Sequence, residues 1–156
     1  MRKWHGFSLI EILVVILIIS ITLGFAMLAY GDFGEKRSIV TAAQEFANYV
    51  TLVKQEAILE SSTLGIHTDS TGYEALRFQE PKTWQPMAQS IFHHHRFPKR
   101  VVIHILPNRS QTKSPAIIVN ASGDMTPFEI HFGTAKNANV VTVIGKSDGY
   151  VAVTTP

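Results

Sequence analysis

The 156-residue sequence has no cysteine, which excludes disulfide frameworks, thiolate metal sites and cysteine nucleophiles. Stability in any compartment must therefore come from packing. Local signatures of catalysis are also missing: there is no Gly-x-Ser-x-Gly elbow, no His-Glu-x-x-His and no glycine-rich phosphate loop. The acids are dispersed without EF-hand spacing, so no calcium loop is expected, and neither an enzyme nor a cofactor is indicated. Charge is absent altogether from Ile12 to Gly31, and Arg2 and Lys3 are the only basic residues among the first 35. Those two account for the whole formal charge of +2, because the other 12 Lys and Arg are matched by 12 Asp and Glu. The length suits one modest domain plus an accessory segment.

The accessory segment is apolar. From Phe7 to Tyr30, 19 of 24 residues are apolar. At 1.5 Å rise per residue, the uncharged run spans roughly 30 Å, the thickness of a bilayer's hydrocarbon core. Arg2 and Lys3 precede it, whereas Asp32, Glu35, Lys36 and Arg37 sum to zero after it, so the positive-inside tendency keeps the N-terminus cytoplasmic. A secretory signal peptide cut near Gly24-Phe25-Ala26 fits less well, since the run exceeds the ~7–15 residues of an h-region. An acid, Glu11, also sits just inside the run. Its insertion costs on the order of 2.5–3.5 kcal/mol. Twelve strongly apolar residues after it return roughly 4–7 kcal/mol, so insertion still wins. An intramembrane carboxylate with no base nearby in the chain needs a partner from elsewhere.

Gly6-Phe7-Ser8-Leu9-Ile10-Glu11, with a basic leader before it and an uncharged run after it, resembles the type III signal of type IV pilins and type II secretion pseudopilins. The resemblance implies that prepilin peptidase cuts between Gly6 and Phe7, and that Phe7 is then N-methylated. It also implies that Glu11 meets the N-terminal amine of an adjacent subunit during filament assembly. An amine and a carboxylate attract far more strongly in low dielectric than in water, so one contact can select for assembly.

Gly31-Asp32-Phe33-Gly34 is a weak point for a helix, each glycine costing about 1 kcal/mol relative to alanine. Asp32 and Glu35 have capping-box spacing, so a second helical segment could begin there. Its apolar stripe is Ile39, Ala43, Phe46, Val50, Val53 and Ala57, with Lys36, Glu45, Lys54, Gln55 and Glu56 off the stripe. The stripe predicts a face packed on the globular domain, with a stand-alone coiled coil as the alternative. The pilin resemblance implies a nearly continuous helix, kinked or straight, from about Phe7 to Ser61.

After Ser61-Ser62 the pattern changes to short β-like runs at Leu64–Thr68, Tyr73–Phe78, Arg100–Leu106, Ala116–Asn120, Pro127–Phe132, Val140–Ile144 and Tyr150–Thr154. Turn residues separate them, and no parallel βαβ unit is visible. Seven such runs predict an antiparallel sandwich or meander. The expected class is α+β and pilin-like: a long hydrophobic N-terminal helix packed at its C-terminal half on antiparallel strands. The expected segments are a leader (1–6), a transmembrane and filament-core helix (7–31), an amphipathic second half (32–62) and a periplasmic β-rich domain (63–156).

The run from Val119 to Phe128, the alternating strand after it and the last hairpin around Gly149 resemble GspH-type minor pseudopilins and the related FimT and FimU minor pilins. Gly-Arg is frequent in the last turn of that family, whereas Tyr150 follows Gly149 here. The resemblance implies a subunit of the type II secretion pseudopilus that supports export of folded proteins. The alternative is a minor type IV pilin that primes pili or takes up DNA. Implied partners are other pseudopilins, prepilin peptidase, the inner-membrane assembly platform and the membrane itself.

The segment His93-His94-His95-Arg96-Phe97-Pro98-Lys99-Arg100 is the one basic cluster outside the leader. Arg96, Lys99 and Arg100, with Phe92 and Phe97 beside them, could contact nucleic-acid phosphates. The neutral chain favours a solvated loop instead. His93 and His95, joined by His104 or His131, could form a metal site, but no carboxylate or thiolate lies close in sequence to complete it, and none is expected.

Overall fold

The computed structural model describes residues 8–80, 83–106 and 114–156, with the side chains of 28–33 outside the description. One helix, α1 (Leu9–Leu59), precedes nine strands among the described residues: β1 (Leu64–Thr68), β2 (Gly72–Gln79), β3 (Thr83–Pro86), β4 (His95–Arg96), β5 (Val102–Leu106), β6 (Ile117–Val119), β7 (Phe128–Gly133), β8 (Val141–Gly145) and β9 (Val151–Thr154). The chain forms two compact units, residues 1–36 and 37–156, and α1 contributes to both.

The weak point at Gly31 to Gly34 does not interrupt α1. Two glycines cost about 2 kcal/mol together, less than nucleating a new helix would. No second helix starts at Asp32, contrary to its capping-box spacing, because a cap needs N–H groups without helical partners and the helix already extends past them. At the other end the chain turns sharply. Ser61 takes a left-handed φ of 48°, Ser62 N–H donates to the Ala57 carbonyl at 3.0 Å, and Ser61 N–H donates to that of Ile58 at 3.2 Å. These are the paired bonds of a Schellman stop.

All six stripe residues are buried, and Ala42, Ala47 and Tyr49 widen the buried face. Strands of the same chain cover it, which overturns the coiled-coil alternative. Phe46 sits at the centre, its ring 5.1 Å from that of Tyr73 on β2, 6.2 Å from Phe128 and 5.9 Å from Phe132 on β7. The first two pairs are edge-on, and such pairs add about 0.5–1.5 kcal/mol each to area burial.

The strands form two antiparallel sheets. The first has the order β3-β2-β1-β6, with β4 also pairing with β2; the second has the order β5-β7-β8-β9. All seven predicted runs contain strands. β5 begins at Val102 rather than Arg100, since Val101 N–H closes a turn onto the Pro98 carbonyl at 2.9 Å. β3 and β4 were not expected: one has four largely exposed residues ending in proline, the other two exposed polar residues, and neither alternates. On β7, Phe128, Ile130 and Phe132 are buried and Glu129 and His131 are half-buried on the opposite face. The two polar groups meet at 3.3 Å.

Candidate functional site

From Leu9 to Met27, α1 is 19 residues long with a mean hydropathy of 2.8, and none of the span is buried. Its side-chain hydroxyls are satisfied within the helix. Ser20 donates to the Ile16 carbonyl at 2.8 Å, and Thr22 reaches the carbonyls of Ile18 at 3.0 Å and Ile19 at 2.9 Å. A helix with its backbone bonds internal and its hydroxyls folded back can lie in hydrocarbon without a dangling polar group. Glu11 is the exception. It lies in the first turn, its N–H bonded to the Ser8 carbonyl at 3.0 Å and its carboxylate exposed among apolar neighbours. Gly6 and Phe7 lie outside the described residues.

The basic segment is held on an aromatic platform centred on Tyr73. The Tyr73 ring is 4.8 Å from Tyr49, 5.2 Å from Phe97 and 5.3 Å from His95, the last stacked at 9°. Burial, and secondarily the Glu45 carboxylate, push the Tyr73 phenol up to about 12. Burial raises Tyr49 further, and its hydroxyl donates to the Phe92 carbonyl at 3.0 Å. His95 donates its Nε2 proton to the Ile91 carbonyl at 3.0 Å. Gly72 admits the His95 backbone closely, for a Cβ there would lie 2.1 Å from the His95 carbonyl oxygen. Arg96, Lys99 and Arg100 project from this base and are exposed. Phe92 and Phe97 are buried, so neither ring can stack on a base.

The candidate metal histidines are divided between the sheets. His95 pairs with Tyr73 on the first, and His93 precedes that strand. His104 and His131 stand opposite each other on the second. His131 engages Thr142 Oγ1 through Nδ1 at 3.1 Å. Among the described residues no cluster of three or more histidines and carboxylates is arranged to hold a metal.

A junction that sequence reasoning missed lies at the end of the β8–β9 hairpin. Lys54, placed off the helical stripe, is partly buried and donates its Nζ to the Gly149 carbonyl at 2.8 Å. Gly149 has φ 80° and abuts Gly123, with φ 89°, in the turn from Asn120 to Asp124. Met125 N–H joins the two turns by donating to the Ser147 carbonyl at 3.0 Å. The glycines thus allow two turns and a helix to converge. Tyr150, which follows Gly149, lies under Lys146 Nζ at 5.4 Å.

The C-terminal pattern and the apolar head match known proteins separately. Residues 42–149 match the model of the family described as "Type II transport protein GspH", and residues 1–27 match the prokaryotic N-terminal methylation motif. Type II secretion system protein H of Pseudomonas aeruginosa is 27% identical over 146 residues, covering 83% of each chain. Its namesake from Escherichia coli K12 is 26% identical over 143 residues, covering 86% of this chain and 84% of the relative. The fold is similar to that of the minor pseudopilin EpsH of Vibrio cholerae, with TM-score 0.65, 18% identity and coverage of 76% and 96%. It is also similar to the solution structure of E. coli GspH, with TM-score 0.63, 19% identity and coverage of 79% and 94%. With a family match over more than half its length and a methylation motif at its head, the chain belongs to the GspH family of type II transport proteins.

Proposed function

We propose that this protein is a minor pseudopilin of the type II secretion system, a structural and non-enzymatic subunit of the periplasmic pseudopilus that supports export of folded proteins across the outer membrane. The observation that carries this reading is the GspH match on 42–149 joined to a methylation motif on 1–27, within which an exposed apolar helix begins. Before assembly the subunit spans the inner membrane once, N-terminus in the cytoplasm and globular domain in the periplasm. Prepilin peptidase removes residues 1–6, Phe7 is methylated, and Glu11 pairs with the new amine of a neighbouring subunit on the assembly platform. The relatives named above are secretion proteins, which favours this reading over a minor type IV pilin that primes pili or takes up DNA.

Glu11→Val tests the assembly step. The carboxylate costs insertion energy, so the variant should still enter the membrane and be processed, while its recovery in purified pseudopili falls at least about tenfold, the loss expected when one partner of a low-dielectric ion pair is removed. Undiminished recovery would rule out that role for Glu11.

A further inference from the structure

The net neutrality of the chain conceals a segregation of charge. Between Pro81 and Gly123 there are six Lys and Arg and not one Asp or Glu. From Phe7 onward, the remainder of the chain carries six bases against all twelve acids. Among the described residues the ion pairs are Arg77 with Glu60 and His131 with Glu129, and neither involves Arg96, Lys99 or Arg100.

From this arrangement we infer that the loop bearing Arg96, Lys99 and Arg100 is a docking surface for an acidic face of a neighbouring subunit in the pseudopilus, an inference that rests on the subunit reading above. Exposure of the three cations is combined with an ordered base. Phe97 N–H donates to the Thr71 carbonyl at 2.9 Å, its ring lies 5.7 Å from Phe132, and β4 pairs with Gly72 and Tyr73. A contact made from an anchored loop loses less backbone freedom on binding than one made from an unanchored one. Three fixed positive charges on such a base suit carboxylates held on a second rigid surface, where short-range pairing sets register and excludes like-charged faces.

Nucleic acid fits the same loop less well. The two nearby phenylalanines are buried, so base stacking is unavailable. The acid excess elsewhere removes the long-range attraction on which a polyanion ligand depends. An acidic protein face requires only local complementarity, which acts within the ~8 Å Debye length of physiological salt.

The test uses the full-length chain in cells with an intact type II secretion system, with a benzophenone residue in place of His93. Irradiation should yield an adduct with another pilin-like subunit, mapped by mass spectrometry to a peptide carrying Asp or Glu. The adduct should fall about tenfold when Arg96, Lys99 and Arg100 are all changed to Glu, and should survive Arg96→Lys with Arg100→Lys. If charge reversal disturbs folding by circular dichroism, replacement of all three by Gln provides the same comparison with a smaller fall. Equal adduct yield in the charge-altered chain, an adduct removed by nuclease, or one with the mass of a lipid would each overturn the inference while leaving the subunit reading intact. Absence of the wild-type protein from purified pseudopili would instead overturn the subunit reading, and this inference with it.

Discussion

Lys54 and Gly149 stand 95 positions apart in the chain, yet the Lys54 ammonium donates to the Gly149 carbonyl at 2.8 Å. That bond fastens the last hairpin to the helix, at the place where the turn containing Gly123 also packs. The turns around Gly123 and Gly149 thus converge on one helical side chain.

Lys54→Met keeps the aliphatic length and removes the donor. The loss of a charge-assisted bond to a partly buried carbonyl should cost about 1–2 kcal/mol. Thermal unfolding of the full-length protein in detergent should show Tm lower by several degrees; an unchanged Tm would remove Lys54 from the stability of the junction.

Gly149→Ala strains the same point from the other side. At φ 80° a side chain is disfavoured, and the new Cβ would lie 2.4 Å from the Gly123 carbonyl oxygen. A penalty of about 2–3 kcal/mol is expected. Combined with Lys54→Met the losses should sum to less than the two singles, because both act on one contact. Simple additivity in a double-mutant cycle would show the two positions to be independent.

Asp69 supports the β1–β2 hairpin by accepting from Thr71 N–H at 2.7 Å, Thr71 Oγ1 at 2.6 Å and Gly72 N–H at 3.0 Å. Burial raises its pKa, but these bonds outweigh burial and hold the carboxyl below its ordinary 3.8. A depressed folded value contributes stability that is present above the unfolded pKa and is lost as pH falls through the folded one. Asp69→Ala should therefore destabilise by about 1–2 kcal/mol near pH 7. Denaturant midpoints measured downward from pH 4 should show the penalty shrinking; a penalty constant with pH would contradict the account.

Gly6→Val tests the proposed processing site. The bulkier side chain should hinder the peptidase and leave a precursor longer by the six leader residues, including Arg2 and Lys3. Intact-mass measurement of the membrane-extracted protein decides the matter: a variant chain beginning at Phe7 would show that the peptidase does not require glycine at position 6, and a wild-type chain that begins elsewhere would overturn the site.

The helical stripe and the longer strands were legible in the sequence because their periodicity is local: Phe46 and Val50 announce one face, and Phe128, Ile130 and Phe132 another. The continuity of α1 through Gly31 and Gly34 was not, since residue propensity registers the cost of glycine but not the helix on either side that outweighs it. The short strands at Thr83 and His95 exist only because β2 offers an edge to both. Within the candidate sites, Glu11 and the basic loop could be singled out as charges in unusual company. The platform under the loop could not, because Tyr49, Tyr73 and Phe97 meet only after the helix has laid its face on the sheets.

Phe46 has a mechanical consequence as well as an energetic one. Its ring touches Tyr73 from the first sheet and Phe128 and Phe132 from the second. A load drawn through the packed part of α1 is therefore shared by both sheets in parallel instead of passing through one to reach the other. Neither sheet can peel away first without stripping that ring of at least one of its three aromatic neighbours.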